Sequence, residues 1–191
     1  MPTDGGEPVH HLDDPALGRV VVTSEAIRRR IVELGAQITA DYAATPPLLI
    51  CVLKGAFVFL ADLARAVRLP VEVDFMAVSS YGASTRSSGV VRIVKDLDID
   101  LAGRHVILVE DIVDSGLTLS YLRRNLAARE PASLEICALF VRQGQQKARE
   151  HLRYVGFDIP PAFVIGYGLD VAERFRNLPY VCEHVGGHPG P

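Results

Sequence analysis

Three carboxylates and a short polar turn lie together near the middle of the chain, in the stretch VILVEDIVDSGLTL (residues 106–119, the acidic motif). The carboxylates are Glu110, Asp111 and Asp114, and the turn runs from Ser115 to Thr118. Carboxylate oxygens can hold sugar hydroxyls, or a Mg²⁺ ion that carries a phosphorylated ligand. The backbone N–H groups of a glycine-containing turn, with the positive end of a following helix, can bind phosphate. These residue types predict a site for a sugar phosphate and a cation.

A lysine and a glycine, Lys54 and Gly55, follow a second apolar segment, LLICVL. Glycine lets the backbone approach a ligand closely, and the lysine ammonium group supplies a positive charge for an anion. Taken alone, a Lys-Gly pair is more often an ordinary turn than a ligand site. Beside the acidic motif, the pair gains weight as a second part of an anion site.

Short apolar runs rich in β-branched residues precede both motifs and predict strands that are buried on both faces. These runs are residues 48–53, 106–109 and 134–141. A helix with Ser24 as its N-cap precedes the first run, and helices over 57–67 and 118–129 follow the first and second runs. This alternation predicts an α/β fold with a mostly parallel, twisted sheet flanked by helices. Ligands of such sheets bind beyond the carboxyl ends of the strands, where both motifs would meet.

The 191 residues are enough for one domain with a substantial core. A net charge of −3 gives no reason to expect nucleic-acid binding. No apolar run approaches the roughly 18 residues of a membrane span, and no basic region followed by an apolar one opens the chain, so we expect neither membrane insertion nor a signal peptide. The three cysteines lack the spacing of zinc ligands. They predict free thiols in a reducing, cytoplasmic compartment.

The acidic motif, with its strand, its Glu-Asp pair and its D-S-G-x-T turn, resembles the phosphoribosyl-diphosphate (PRPP) binding signature of type I phosphoribosyltransferases. Leu53-Lys54-Gly55 looks like the pyrophosphate turn of the hypoxanthine-guanine branch, in which the Leu-Lys peptide can be cis. Residues 154–181 are similar to the C-terminal hood of the same branch. The resemblance spans roughly residues 18–182, and the G-x-G-x-x-G and G-x-x-x-x-G-K-[ST] fingerprints of other phosphate-binding families are absent from the sequence.

The resemblance implies a Mg²⁺-dependent glycosyltransferase of purine salvage, which moves the 5-phosphoribosyl group of PRPP to a 6-oxopurine. Hypoxanthine or guanine would give IMP or GMP and pyrophosphate, with Asp114 as the catalytic general base at purine N7. The residues that would bind PRPP and its phosphate groups are Lys54, Gly55, Glu110, Asp111, Asp114, Ser115, Gly116, Leu117, Thr118 and Arg176. The residues that would bind the purine are Arg142, Phe163, Val164 and Asp170. The residues that would bind the metal are Glu110, Asp111 and Asp170.

The sequence and the resemblance together divide the chain into three parts. Residues 1–14 would be a flexible tail, 15–153 the PRPP-binding α/β core, and 154–191 a hood of short strands that binds the purine. A Gly- and Ser-rich stretch within 79–92 has almost nothing to bury. By resemblance it would be a mobile lid that carries Ser80 and Tyr81 and closes over the site.

One residue departs from the pattern of the hypoxanthine-guanine enzymes. Where they carry a lysine that donates to the purine 6-oxo group, this chain has Arg142. Arginine is longer, planar and forked, so the replacement is not conservative. Lys147 would serve in another alignment, although it lies further beyond the predicted strand. The substrate class stays a 6-oxopurine, and the choice of base stays open.

Two other functions stay open at this point. The first is an RNA-binding regulator built on the same fold, against which the acidic net charge and the FVIGYGLD segment argue. The second is a phosphoribosyltransferase for another base, such as xanthine or adenine, which a panel of bases would identify. Members of the family are usually dimers or tetramers, so the resemblance also implies a homo-oligomer.

Overall fold

The fold is an α/β sheet with a smaller sheet beside it, seen in a computed structural model that describes residues 13–80, 91–114, 116–144 and 149–186. The elements in these residues are β1 (Leu17–Val22), α1 (Ser24–Asp41), β2 (Leu48–Leu53), α2 (Phe57–Ala66), β3 (Glu72–Ser80), β4 (Val91–Lys95), β5 (His105–Val113), α3 (Leu117–Ala127), β6 (Ser133–Arg142), β7 (Tyr154–Ile159), β8 (Val164–Ile165) and β9 (Val181–His184).

The larger sheet has six strands in the order β4-β3-β2-β5-β6-β7. All neighbours are parallel except β3 and β4, which pair antiparallel. This arrangement confirms the predicted α/β fold with a mostly parallel sheet. The carboxyl ends of β2, β5 and β6 lie at one edge of the sheet, which brings Lys54, Asp114 and Arg142 to the same side.

Two apolar layers explain why the strands are continuously apolar. On β2, Leu49 and Cys51 pack with α1 and α2, whereas Leu48 and Ile50 pack on the opposite face with α3. Successive side chains of a strand point to opposite faces, so a strand covered on both faces is apolar at every position. The buried helix residues repeat at helical spacing: Ile27, Ile31, Leu34 and Ile38 on α1, Phe59, Leu60 and Leu63 on α2, and Leu119, Leu122 and Leu126 on α3.

Strand β5 is longer than the apolar run predicts, and it passes through the two adjacent carboxylates. The run ends at Val109, but β5 continues because it stays paired with β6 as far as Val113 and Val141. The sheet therefore holds Glu110 and Asp111 within the strand and not in a turn after it. Asp114 is the first residue beyond the strand.

The smaller sheet has the order β1-β9-β8, with antiparallel neighbours. The division of the strands between the two sheets differs from the sequence-based division into a core over 15–153 and a hood over 154–191. In the structure β7 pairs with β6 in the large sheet, so the chain leaves that sheet only after Ile159. β1 joins β9 instead of the core. Strand partners depend on tertiary contacts, which a local apolar pattern does not encode.

The ends of the remaining elements lie close to the predicted bounds. The N-cap of α1 is Thr23 and not Ser24, because Thr23 Oγ1 accepts a hydrogen bond from Ala26 N at 3.2 Å. β3 and β4 approach each other at Ser80 and Val91, at the base of the predicted lid. The lid tip with Tyr81 lies outside the described residues.

All three cysteines are free thiols, as predicted, and all three are buried. Burial, reinforced by the nearby charges of Glu110 and Asp111, raises the pKa of the Cys51 thiol to about 12, so this thiol stays protonated at neutral pH. In the described part of the chain, no helix combines the length and the hydropathy needed to cross a membrane.

Candidate active site

The turn after β2 meets the end of β5 at Gly55 and Asp111. A Cβ atom placed on Gly55 would lie 1.6 Å from Asp111 Oδ2, so any other residue would displace this carboxylate. The Leu53–Lys54 peptide is cis, as it can be in the hypoxanthine-guanine branch. Asp111 Oδ1 accepts a hydrogen bond from Ile112 N at 2.7 Å, which orients the carboxylate. The two sequence motifs are thus in direct contact.

The adjacent carboxylates of β5 lie where ionisation is unfavourable. The Glu110 residue is only 8% exposed. Its burial and the neighbouring Asp111 charge raise its pKa well above the usual range. Burial also raises the pKa of Asp111, although the hydrogen bond from Ile112 N and the charge of Arg176 oppose this rise. Buried carboxylates of this kind are stabilised by hydroxyl donors or by a cation.

A cleft between β5 and α3 contains most of the acidic motif. Gly116 precedes the helix with a φ of +74°, a left-handed conformation that favours glycine. Since Gly116 has no side chain, it cannot cap the N–H groups of the first helical turn itself. Ser115 lies outside the described residues. The residues that line the cleft are Glu110, Asp111, Ile112, Val113, Asp114, Gly116, Thr118 and Leu119. The acidic strand end and the start of the helix therefore share one cleft.

A turn that follows β8, residues 168–176, packs onto the Gly55 loop. A Cβ atom on Gly168 would lie 2.1 Å from the Gly55 carbonyl oxygen, and its φ of +97° also requires glycine. Arg176 Nη1 donates to Gly168 O at 2.8 Å, and Nη2 lies 2.8 Å from Asp170 Oδ1. These contacts hold the guanidinium near Asp111. Its positive charge there offsets part of the rise in the pKa of Asp111 that burial causes.

Glu173 is a residue of this turn that the sequence analysis missed. Its Oε2 lies 3.1 Å from Lys54 Nζ and accepts a hydrogen bond from Arg176 Nη2 at 3.1 Å. The spacing of Asp170, Glu173 and Arg176 by three residues was a local signal for part of this cluster. The contact with Lys54 joins distant parts of the chain, so no local signal could reveal it.

Arg142 lies at the end of β6 with its side chain only 17% exposed. Nη1 donates to the carbonyl oxygen of Ala162. Nε lies 3.2 Å from Asp114 Oδ1 and makes no hydrogen bond to any of the described residues. Arg142 therefore forms an ion pair with the predicted general base, and its Nε is a buried donor without a hydrogen-bond partner among the described residues.

The predicted base-stacking residue, Phe163, is 41% exposed. Its ring meets the His184 ring edge to face, with the centroids 5.7 Å apart. Val164 is buried and pairs with Glu183 between β8 and β9. An exposed aromatic face beside a fixed strand is a suitable surface for a planar heterocycle.

The three carboxylates predicted to hold a metal do not form a complete ligand set. Asp170 pairs with Arg176, and its Oδ2 accepts a hydrogen bond from Glu173 N at 2.9 Å. Among the described residues, no group of three or more His, Cys, Asp or Glu side chains could hold a metal ion. A Mg²⁺ ion here would need oxygen ligands from a substrate. Lys147, Tyr81 and the side chain of Ser80 lie outside the described residues.

The sequence matches the family with the description "Phosphoribosyl transferase domain" over residues 21–172. This span includes the large sheet, the acidic motif and the Gly55 loop. The chain therefore belongs to the phosphoribosyltransferase family, and it is an enzyme of the transferase class. The class predicted from the acidic motif is confirmed.

Two curated relatives and one solved structure carry the name of one branch of this family. Hypoxanthine-guanine phosphoribosyltransferase of Mycobacterium tuberculosis is 57% identical over 168 residues, which cover 85% of this chain and 83% of the relative. The Bacillus subtilis enzyme of the same name is 50% identical over 163 residues, 85% of this chain and 91% of the relative. The solved Bacillus anthracis enzyme has a TM-score of 0.83 at 40% identity and covers 88% of this chain and 99% of that chain. The resemblance to the hypoxanthine-guanine branch is thereby confirmed.

Proposed function

We propose that this protein transfers the 5-phosphoribosyl group of PRPP to hypoxanthine or guanine in purine salvage, with Mg²⁺ as its cofactor. The products are IMP or GMP and pyrophosphate. The main support is the convergence, at one edge of the sheet, of two carboxylates, a helix start and two cations. A sugar, a 5′-phosphate and a diphosphate are the three parts of PRPP, and this arrangement offers each of them a suitable partner.

The 5′-phosphate lies, in this proposal, at the start of α3. The first turn of a helix presents N–H groups without partners inside the helix, and these attract anions. Residues 115–118 supply these groups together with the hydroxyls of Ser115 and Thr118. The ribose hydroxyls donate to Glu110 and Asp111, and this compensates for the burial of both carboxylates. The diphosphate meets Lys54, Gly55 and Arg176.

One Mg²⁺ would be held by Glu110 and Asp111 together with oxygens of PRPP, and Asp170 would hold a second Mg²⁺ through water. The carboxylates are hard oxygen donors of the kind that Mg²⁺ prefers, and oxygens of the substrate and of water would supply the remaining ligands. When bound, the ion supplies positive charge that neutralises the departing pyrophosphate.

In the reaction, the bond between the anomeric carbon and the diphosphate oxygen breaks, and a bond from that carbon to a purine ring nitrogen forms. The protein aligns the two reactants and stabilises the charge that leaves. Asp114 accepts the proton of purine N7. Arg142 donates to the 6-oxo group, Phe163 stacks on the base, and the Val164 backbone bonds the group at purine C2. The lid that carries Ser80 and Tyr81 closes over the site.

We also propose that the enzyme is a cytoplasmic homo-oligomer. Three free thiols suit a reducing compartment. Val73 and Phe75 on β3 and Val94 on β4 are 36%, 37% and 67% exposed. They lie on one face near the edge of the large sheet, and apolar faces of this kind commonly mark interfaces. Sedimentation of the wild type and of Phe75→Ser tests this proposal, since a dimer or tetramer that weakens in the variant supports it and a wild-type monomer refutes it.

A spectrophotometric assay with PRPP, Mg²⁺ and each of hypoxanthine, guanine, xanthine and adenine tests the function. We expect turnover of hypoxanthine and guanine, and a loss of about 10²–10⁴-fold in kcat for Asp114→Asn. Arg142→Lys tests the donor to the 6-oxo group, because activity in this variant alone would show that the natural base is a different one. A lack of turnover with every purine would refute the function and favour the RNA-binding regulator.

A further inference from the structure

The 168–176 turn places a carboxylate between the two cations proposed for the diphosphate. One oxygen, Glu173 Oε2, lies 3.1 Å from Lys54 Nζ and 3.1 Å from Arg176 Nη2. Hydrogen bonds from Lys54 and then Arg176 lower the pKa of Glu173, so the carboxylate is ionised at neutral pH. An anionic oxygen shared by two cations is the contact that a diphosphate oxygen would make.

The backbone of the turn holds Glu173 in this position. Ala172, Glu173 and Phe175 have φ values of +50°, +63° and +73°, a region that residues other than glycine rarely adopt. Glu173 N also donates to Asp170 Oδ2 at 2.9 Å. Three left-handed residues and this hydrogen bond fix the backbone of the turn. The fold therefore places residue 173 beside the two cations, where its side chain contacts Lys54 and Arg176.

The two cations differ in how easily they exchange partners. The Lys54 and Glu173 side chains are 66% and 64% exposed, and exposed ion pairs are weak and easily replaced. The Arg176 side chain is only 18% exposed, and its contacts with Gly168 O and Asp170 Oδ1 do not involve Glu173. A diphosphate can thus displace the carboxylate and find Arg176 already in place.

We propose that Glu173 is an internal counter-ion that competes with the diphosphate for Lys54 and Arg176, and so weakens the binding of pyrophosphate and promotes its release. The inference rests on the proposed function, because the diphosphate is the ligand in question. Glu173 acts through the two cations and not on the reacting atoms, so it is a positioning residue. Its charge sets the affinity for the leaving group.

Calorimetric titration of the folded enzyme with pyrophosphate, at a fixed excess of Mg²⁺, tests the inference. Glu173→Gln keeps the size of the side chain and removes its charge, and we expect it to bind pyrophosphate about two- to fivefold more tightly. Glu33→Gln is the matched control: it removes the same charge from an exposed pair with Arg30 on α1 and should leave the affinity unchanged. In a Lys54→Met background, the gain from Glu173→Gln should shrink, because one of the contested cations is gone.

Equal or weaker binding of pyrophosphate by Glu173→Gln would overturn the inference, since the carboxylate would then organise the cations instead of competing for them. If the wild type converts hypoxanthine but Glu173→Gln gains no affinity, only this inference fails. If the wild type neither binds pyrophosphate nor converts any purine, both the proposed function and this inference are refuted. Product inhibition gives a second readout, and the inhibition constant of pyrophosphate should fall by the same factor.

Discussion

Replacing Gly55 with alanine should remove most of the activity and leave the fold intact. The added Cβ would lie 1.6 Å from Asp111 Oδ2, and the three nearest atoms all belong to this carboxylate. Since real Cβ contacts are essentially never shorter than 3.0 Å, the carboxylate or the loop must move by about 1.4 Å. A misplacement of about 1 Å can slow a reaction about 100-fold. We therefore expect kcat/KM for PRPP to fall about 100-fold, or about 2.7 kcal/mol in transition-state stabilisation.

The assay compares initial rates at varied PRPP with the free energy of unfolding in urea. Gly103→Ala is the control, because a Cβ there meets nothing within 4 Å. Its φ of +71° should lower stability by about 1 kcal/mol and leave the rate unchanged. The clash should also lower the free energy of unfolding of Gly55→Ala, and this loss should disappear in an Asp111→Ala background, since the clashing group is gone. If Gly55→Ala kept more than about a third of the wild-type kcat/KM, or its effect on stability persisted without Asp111, the steric reasoning would be refuted.

Three further predictions follow from the pKa shifts and contacts of single residues. Glu110→Gln should raise the free energy of unfolding at pH 7 by about 1 kcal/mol, because burial and Asp111 raise the pKa of the wild-type carboxyl and make its ionised form unfavourable in the folded state. This gain in the free energy of unfolding should vanish as the pH falls below about 4.3, where the carboxyl is protonated in the folded and the unfolded chain. A gain that stays constant in urea titrations from pH 4 to 8 would contradict the pKa argument. Tyr154→Phe should lower the free energy of unfolding in urea by about 1–2 kcal/mol, because its hydroxyl donates to Asp41 Oδ2 at 2.6 Å. An equal loss in an Asp41→Ala background, which has no acceptor at this position, would exclude this bond as the cause. Phe163→Ala should raise the KM for the base about tenfold through the loss of stacking, and a KM within about twofold of the wild type would rule out a stacking role.

Much of the large sheet could be predicted because its signals are local. A strand covered on both faces is apolar at every position, and a helix covered on one face has apolar residues every three to four positions. The run LLICVL therefore predicts a buried strand, and the apolar stripe of α1 predicts a helix. The end of β5 could not be predicted in the same way. Glu110 and Asp111 interrupt the apolar run, and only the pairing with β6 carries the strand past them.

The partners of the terminal strands could not be predicted, because pairing is a property of the whole fold. The stretches that became β1 and β7 are both short apolar runs. One joins β9 across most of the length of the chain, and the other joins β6. The predicted boundary between core and hood lies directly before β7, and β7 instead pairs with β6 in the large sheet.

The sequence by itself determined which chemical groups the candidate site contains, because the acidic motif and the Lys54-Gly55 pair carry their residue types at fixed local spacing. Only the tertiary structure decided how these groups meet. The contact of Gly55 with Asp111, the ion pair of Arg142 with Asp114 and the bridge from Glu173 to Lys54 each join residues far apart in the chain. The physical reason is that spacing along a chain sets local geometry, whereas the distance between remote side chains is set by how strands and helices pack.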